Sequence, residues 1–157
     1  MKNIITIFLA IVSANSLRAQ TMDFKWAKQL GASESGFDQK SIAVDAEGNI
    51  YTSGSFTGNV DFDPGPGEFY LSAVNKSPLG DQVQDMFVSK SDAAGNLIWA
   101  RQMASEYYAR SNSLAIDTQG NVYTVGEFTG TVDFDPGVGI FNLTSARAAE
   151  MSRRSVA

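Results

Sequence analysis

A sequence block that occurs twice constrains the fold of this chain more than any other feature. Thr57–Leu71 reads TGNVDFDPGPGEFYL, and Thr129–Leu143 reads TGTVDFDPGVGIFNL. When Gly48–Ser72 is aligned with Gly120–Thr144, about two thirds of the positions are identical without a gap. A fixed period of this length indicates a repeat architecture in which each unit is one group of secondary structure elements.

Three copies of a D-x-x-G-N motif predict tight turns between pairs of strands. The motif occurs at Asp45–Asn49, Asp92–Asn96 and Asp117–Asn121. Asp at the first position and Gly at the fourth are typical of a type I turn, and the Gly can adopt the positive φ of a bulge. Apolar and polar residues alternate around each motif, so the sequence predicts hairpins at about 41–56, 85–102 and 113–128.

The arrangement of these hairpins predicts an all-β fold. The 14 Gly and 10 Phe suit strands and turns, and no long segment has helical periodicity. Two successive hairpins form an antiparallel four-stranded sheet, which is a propeller blade. We therefore expect about one and a half blades of an incomplete propeller: blade 1 at about 41–102 and a partial blade 2 at about 113–145.

A further strand is expected before the first hairpin. Phe24–Leu30 contains the sequence WAKQ, and WARQ returns at Trp99 near the end of blade 1. The first copy therefore matches the last strand of a blade, although it precedes the first blade in the chain. We expect it to be a strand that pairs with a partner, or along blade 1, or that stays loosely ordered.

The order of these motifs resembles one known family. W-A-K-Q, S-I-A-V-D-x-x-G-N-I-Y, G-x-F-x-G-x-V-D-F-D-P-G and D-M-F-V-S-K-x-D-x-x-G-N follow one another as in SBBP-type β-propeller repeats, over about residues 24–145. The resemblance implies a multi-bladed propeller in an exported bacterial protein, of the kind that often carries a type IX secretion sorting domain. It implies no catalytic residue, because these motifs belong to the repeat itself.

Residues 1–19 are typical of a secretory signal peptide. Lys2 supplies the positive charge, Ile4–Val12 is an apolar segment, and small polar residues follow up to Ala19. Such a segment is too short to span a membrane. The sequence therefore predicts an exported protein, secreted or on the cell surface, with no membrane span in the mature chain. The alternative is that these residues form a buried strand or helix.

The repeat pattern ends at about residue 145. The first copy continues from Leu71 to DMFVSK, whereas Leu143 is followed by TSARAAEMSRRSVA. We expect a repeat region at 20–145 and a divergent tail at 146–157 that results from truncation or a frameshift. The alternative is a short helical cap on the open blade edge, because Ala, Arg, Glu and Met favour helices.

The composition excludes several kinds of site. The chain has no Cys and no His, which rules out disulfides, thiol nucleophiles, Cys/His zinc sites and the Ser-His-Asp triad. Its net charge is −5, and acidic side chains outnumber basic ones more than twofold within 20–145. This acidic balance argues against nucleic-acid binding, which requires a basic surface.

Four carboxylates in the repeated block are the candidate binding residues. The D-x-D pattern beside Gly is compatible with calcium, which prefers carboxylate and carbonyl oxygens. The alternative is that each Asp accepts hydrogen bonds from backbone N–H groups in the turn before Pro-Gly. Because the residues recur with the fold, a unique catalytic role is not expected. The calcium candidates are Asp61, Asp63, Asp133 and Asp135.

The function expected from the sequence is that of a structural or binding module with no catalysis of its own. A protein or a glycan is the expected ligand, and no resident cofactor is expected unless calcium binds. Exposed blade edges also predict self-association. The alternative is an accessory, non-catalytic part of a secreted hydrolase that acts on polysaccharide or protein.

Overall fold

The computed structural model describes residues 24–30, 36–73 and 83–146, and within them the chain forms strands and turns without a helix. The signal peptide predicted at 1–19 and most of the divergent tail lie outside the described residues. The predicted all-β class is confirmed. The strands are β1 Phe37–Val44, β2 Ile50–Phe56, β3 Gly58–Asp61, β4 Tyr70–Ala73, β5 Asp85–Ser91, β6 Leu97–Met103, β7 Tyr108–Ile116, β8 Val122–Thr129, β9 Thr131–Asp133 and β10 Asn142–Thr144.

The first repeat unit, residues 37–103, contains the four-stranded antiparallel sheet predicted from two successive hairpins. The strand order is β1-β2-β5-β6, and every neighbouring pair is antiparallel. β1–β2 and β5–β6 are hairpins that turn at the D-x-x-G-N motifs. β2 and β5, which come from different hairpins, pair in the middle of the sheet, with Gly54 opposite Phe87.

The segment between the two hairpins folds over one side of this sheet. β3 and β4 form a separate two-stranded antiparallel ribbon. Val60 and Phe62 alternate with acidic residues along this segment, and both apolar side chains are buried. Phe62 belongs to a Phe cluster, defined as Phe37, Phe56, Phe62 and Phe87, in which the contacting rings have centroids 5.0–6.3 Å apart. Val60 is part of the same hydrophobic core.

The second unit, residues 108–144, repeats the first half of this arrangement. β7 and β8 form a hairpin, and β9 and β10 form a ribbon equivalent to β3–β4. Val132 is buried, as its equivalent Val60 is. Phe128 and Phe134 contact each other edge to face with centroids 5.2 Å apart, as Phe56 and Phe62 do.

The second unit stacks on the sheet of the first. We call the side of a unit that carries Phe87 or Phe128 its front face, and the opposite side, which carries Tyr51 or Tyr123, its back face. The front face of the second unit packs on the back face of the first. Both units contribute to the resulting inter-unit core, whose buried members are Tyr51, Met86, Val88, Met103, Ala109, Leu114 and Val132.

A bulge near the start of each hairpin requires glycine on the opposite strand. The register of β1 against β2 shifts between Gln39 and Ser41, next to Gly54. A Cβ at Gly54 would lie only 2.0 Å from the Asp38 carbonyl oxygen, and a Cβ at Gly126 would lie 2.0 Å from that of Arg110. Because these neighbours are backbone atoms, any side chain at either position would displace the strand.

The prediction of a strand at Phe24–Leu30 is wrong, since no strand forms there. Trp26 instead packs on the turn that joins β5 to β6. Its indole Nε1–H donates a hydrogen bond to the Ala93 carbonyl at 3.0 Å, and its ring lies beside Gly95. The WAKQ pattern specifies a strand only where the backbone of a neighbouring strand pairs with it, and this segment contacts a turn.

Among the described residues, no helix has the length and hydropathy that a membrane crossing requires.

Candidate functional site

Each hairpin turn is held by a carboxylate that accepts hydrogen bonds from the far end of its motif. In the first turn, Asp45 Oδ1 accepts from the Asn49 backbone N–H at 2.7 Å, and Asp45 Oδ2 accepts from the Asn49 side-chain amide at 2.8 Å. The Gly48 N–H donates to the Asp45 carbonyl at 3.1 Å, and the φ of Gly48 is 85°. The predicted turn type is confirmed, and the same bonds recur at Asp92–Asn96 and Asp117–Asn121.

The first and third of these turns line a polar cavity of about 550 Å³ between the two units. Lys90 also lines it, with Nζ 3.6 Å from Asp45 Oδ2 and 4.8 Å from the centroid of the Tyr51 ring. Burial acts to raise the pKa of Asp45, but hydrogen bonds from Asn49 and Tyr51 and the charge of Lys90 outweigh it and lower that pKa. The cavity thus combines a cation, carboxylates and amides, which suits recognition of a polar ligand.

The four calcium candidates lie in two equivalent turns, one in each unit. Asp61 Oδ1 accepts hydrogen bonds from the backbone N–H groups of Asp63, at 2.9 Å, and Phe69, at 2.8 Å. Asp63 Oδ1 accepts from the Gly65 N–H at 2.8 Å. In the second unit, Asp133 accepts from Asp135 and Phe141, and Asp135 accepts from Gly137.

These contacts are the ones expected if the carboxylates stabilise the turn before Pro-Gly. The structure keeps Asp61 beside Asp63 and Asp133 beside Asp135, with one pair in each unit. Within the described part of the chain, no group of three or more acidic side chains gathers in a way that suits a metal ion. Calcium binding at these residues stays a prediction.

Asp85 is a buried carboxylate that sequence reasoning missed. It begins β5 and is fully buried, and its Oδ1 accepts the Ser105 backbone N–H at 2.8 Å. Its Oδ2 accepts a hydrogen bond from Gln102, whose amide also donates to the Ser72 carbonyl. Burial raises the pKa of Asp85, and these hydrogen bonds offset only part of that shift. The Asp85 carboxylate therefore connects β5 to β6 and to Ser105, and through Gln102 it also connects to β4.

Polar side chains also align the two units, and the repeat pattern gave no sign of them. Ser53 and Ser111 share a buried hydrogen bond between their hydroxyls at 2.8 Å. The Leu114 backbone N–H donates to Ser41 Oγ at 3.0 Å. Because an unpaired buried polar group is costly, these bonds favour one register of the second unit on the first.

Equivalent positions of the two units differ sharply in exposure. Tyr51 on the back face of the first unit is 2% exposed, whereas its copy Tyr123 on the back face of the second is 59% exposed. On the front faces the order reverses, since Ile42 is 67% exposed and its copy Leu114 only 8%. The described residues therefore leave one stacking face uncovered at each end of the two-unit stack.

Comparison with known proteins supports the repeat assignment for part of the chain. Residues 25–62 match the family model for the SBBP beta-propeller repeat. Over 127 residues, or 76% of this chain, the sequence is 25% identical to an uncharacterized WD repeat-containing protein of Acanthamoeba polyphaga mimivirus. The chain spans only 9% of the length of that relative. No solved structure matches.

Proposed function

We propose that this chain is an exported structural or binding module, without catalysis of its own, that associates with other proteins through its stacking faces. The proposal follows from the contrast between exposed and buried copies of the same repeat position. Where one unit meets another, these positions form a core. Where none of the described residues covers them, they present an apolar surface that another repeat unit or protein can cover.

Two further observations support a binding role. The match to a propeller repeat favours a scaffold in which loops and faces carry the recognition. The polar cavity between the first and third turns provides one such loop site, with Lys90 and Asp45 in its lining. Contacts with each other and with Asn49 and Tyr51 fix the positions of these two charged groups in the lining.

Export is the second element of the proposal. It rests on the apolar segment at Ile4–Val12 after Lys2 and on the small residues that follow. Expression of the chain in a bacterial host, followed by fractionation and N-terminal sequencing, tests it. The expected result is a product that begins near Gln20 and is found outside the cytoplasm. A cytoplasmic product that starts at Met1 would contradict it.

Mixing two variants tests the stacking function. A lysine at Ile42, in I42K, blocks the front face, and V125K blocks the back face, where Val125 is 65% exposed. We expect the wild-type chain to associate with rising concentration in sedimentation experiments, and each variant alone to be monomeric. An equimolar mixture should form a one-to-one dimer, because it retains one intact face of each kind.

The control is Glu68→Lys, which changes an exposed residue on neither stacking face. It should associate like the wild type. A wild-type chain that stays monomeric at all concentrations, or a mixture of the two variants that stays monomeric, would overturn the stacking proposal. Equal circular dichroism spectra for all variants are required before the comparison, because the substitutions are intended to leave the fold intact.

A further inference from the structure

The geometry points to a second binding site, along the outer edge of β8. We propose that this edge binds an extended segment of a partner, antiparallel to β8, with a phenylalanine opposite Gly126. The proposal rests on the binding function proposed above and names one class of partner for it. It uses the edge of the second unit, whereas association of whole units uses the front and back faces.

The first observation is the unequal pairing of two equivalent strands. β2 lies between β1 and β5 in the first unit, so both of its edges are paired. β8 pairs with β7, and none of the other described strands pairs with it. A strand edge of this kind presents backbone donors and acceptors that an extended peptide can complete.

The second observation is a cavity of about 120 Å³ beside this edge. Cavities of about 150 Å³ lined by apolar groups can hold a benzene ring, so this one approaches the size of an aromatic side chain. Its lining includes Phe128 and Phe134, which are the repeat copies of Phe56 and Phe62. The other lining residues are Met86, Ala109, Arg110, Thr124, Gly126 and Glu127.

The first unit shows what the repeat places at this position. There, Phe87 of β5 lies opposite Gly54, and its ring centroid is 5.0 Å from that of Phe62 and 6.3 Å from that of Phe56. The copy of Gly54, one repeat period later, is Gly126. A phenylalanine opposite Gly126 would therefore meet Phe128 and Phe134 as Phe87 meets their equivalents.

The third observation is a groove of about 300 Å³ that continues along the same strand. Val122 and Thr124 of β8 line it from the second unit, and residues of β5 and β6 line it from the back face of the first. Most of its exposed lining is apolar. An extended segment beside β8 would lie over this surface, which adds hydrophobic contact to the backbone pairing. The first-unit residues are Met86, Val88, Trp99, Arg101 and Met103.

A peptide of residues 83–105 of this chain is a suitable probe. It contains β5 and β6, so it carries Phe87 in the required pattern. It also contains Gln102 and Ser105, which donate hydrogen bonds to Asp85 in the first unit. The peptide thus brings partners for its own buried carboxylate, and a shorter peptide with Asp85 alone would leave that group unsatisfied.

Fluorescence anisotropy with the labelled peptide and the whole 157-residue chain measures the binding. We expect saturable binding, weakened at least about tenfold when the peptide carries Phe87→Ala, because an aromatic ring in an apolar cavity contributes more than about 1.4 kcal/mol. Hydrogen exchange should show slower exchange of β8 amides when the peptide is bound, while the amides of β2 stay unchanged.

Two tryptophan substitutions, one in the proposed site and one outside it, provide the matched test in the chain. Thr124 lines both the cavity and the groove, so Thr124→Trp should fill them and weaken peptide binding at least about tenfold. Glu68 lies between β3 and β4 of the first unit and lines neither space, so Glu68→Trp should bind the peptide like the wild type. Both positions are exposed, and circular dichroism verifies that both variants fold.

Several results would overturn the proposal. These are no saturable binding, equal binding of the Phe87→Ala peptide, or equal loss in both tryptophan variants. Protection of β8 that rises with protein concentration without peptide would show that a second copy occupies the edge instead. If the peptide does not bind but the mixture of I42K and V125K still forms a dimer, the edge site is wrong and the stacking function stands. Peptide binding by a chain that never self-associates would contradict stacking and support the edge site.

Discussion

The two units of this chain are identical at about two thirds of the positions in their repeated block and yet differ in how that block is buried. Phe56 and Phe62 are fully buried in the first unit, whereas Phe128 and Phe134 in the second are only partly buried. The difference lies in the neighbours, because β5 supplies Phe87 beside the first pair. Burial of a repeat residue therefore depends on the strands beside it more than on its own motif.

The same contrast extends to the stacking faces. Tyr51 is covered by the second unit, and Tyr123, at the same repeat position, is exposed. A repeat unit of this kind cannot bury both of its faces alone, and stability comes from contacts between neighbours. Each unit therefore has one face covered by the other unit and one face that the described residues leave exposed.

The largest expected effect on stability comes from a substitution in the Phe cluster. Phe87→Ala should lower the free energy of unfolding by about 3–5 kcal/mol, because it removes a fully buried ring from between three other rings. Phe134→Ala should cost about 1–2 kcal/mol, since its side chain is only partly buried. Urea denaturation of both variants measures the difference. Equal losses would show that the second unit is as completely packed as the first.

The next effect concerns the buried carboxylate of the first unit. Asp85→Ala should cost about 1–3 kcal/mol, because the Ser105 N–H and the Gln102 amide lose a common acceptor. Chemical denaturation at constant pH measures this loss. A variant as stable as the wild type would mean that water replaces the carboxylate without penalty.

Asp85 also has a pH dependence of definite sign. Its pKa is raised in the folded chain above the usual 3.8, so the folded state binds more protons than the unfolded state in that range. The contribution of Asp85 to stability is therefore greatest below pH 3.8 and falls as the pH rises through the raised pKa. Asp85→Asn has no carboxyl group at this position, so its free energy of unfolding should not show this fall. Denaturation of the wild type and the variant at a series of pH values measures the difference.

A smaller loss of stability is expected from substitutions in the turns that contain the calcium candidates. Asp61→Ala and Asp133→Ala should each cost about 1 kcal/mol without calcium, because each carboxylate accepts two backbone N–H groups. Thermal unfolding in a chelator measures this. Calorimetry with calcium on the wild type and on Asp61→Asn/Asp63→Asn tests the cation. Destabilisation that appears only when calcium is present would contradict the turn role.

The smallest effect compares the hairpin turns of the two units. Asp117→Ala should speed amide exchange along β7–β8 more than Asp92→Ala does along β5–β6, because β5 is also paired with β2. Hydrogen exchange followed by mass spectrometry measures both. Equal acceleration would show that β7–β8 is held as firmly as the completed sheet.

Asp92 and Asp117 should give stability a pH dependence of the opposite sign to that of Asp85. Hydrogen bonds from the Asn96 backbone and side chain lower the pKa of Asp92, and the Asn121 side chain and backbone do the same for Asp117. Their contribution is present above the usual pKa of 3.8 and is lost as the pH falls through the lowered values. The alanine variants should therefore lose less stability on acidification than the wild type does.

The hairpin turns and the repeat could be predicted because their causes are local. In D-x-x-G-N, the carboxylate and the amide that hold the turn lie at the two ends of one short motif, as in Asp45 and Asn49. Val60 and Phe62 likewise alternate with Asp61 and Asp63 in the sequence, and the structure buries both apolar side chains. These features need no knowledge of distant residues.

Other features depend on residues far apart in the sequence. Asp85 is buried because Ser105 and Gln102 close over it, and Ser53 meets Ser111 from the other unit. The strand expected at Phe24–Leu30 failed for the same reason, since a strand needs a partner and Trp26 packs on a turn instead. No local pattern distinguishes Asp85, Ser53 and Ser111 from exposed Asp and Ser residues.

The sequence by itself determined the repeat period, the turns and the alternation of strands, because backbone geometry and hydrogen bonds between near neighbours specify them. Only the tertiary structure decided which copy of each repeated residue is buried. Burial is a property of contact between units, so Tyr51 and Tyr123 share a motif but not an environment. The edge of β8 and the cavity beside Gly126 also depend on tertiary structure, because among the described strands β2 is paired on both edges and β8 on one.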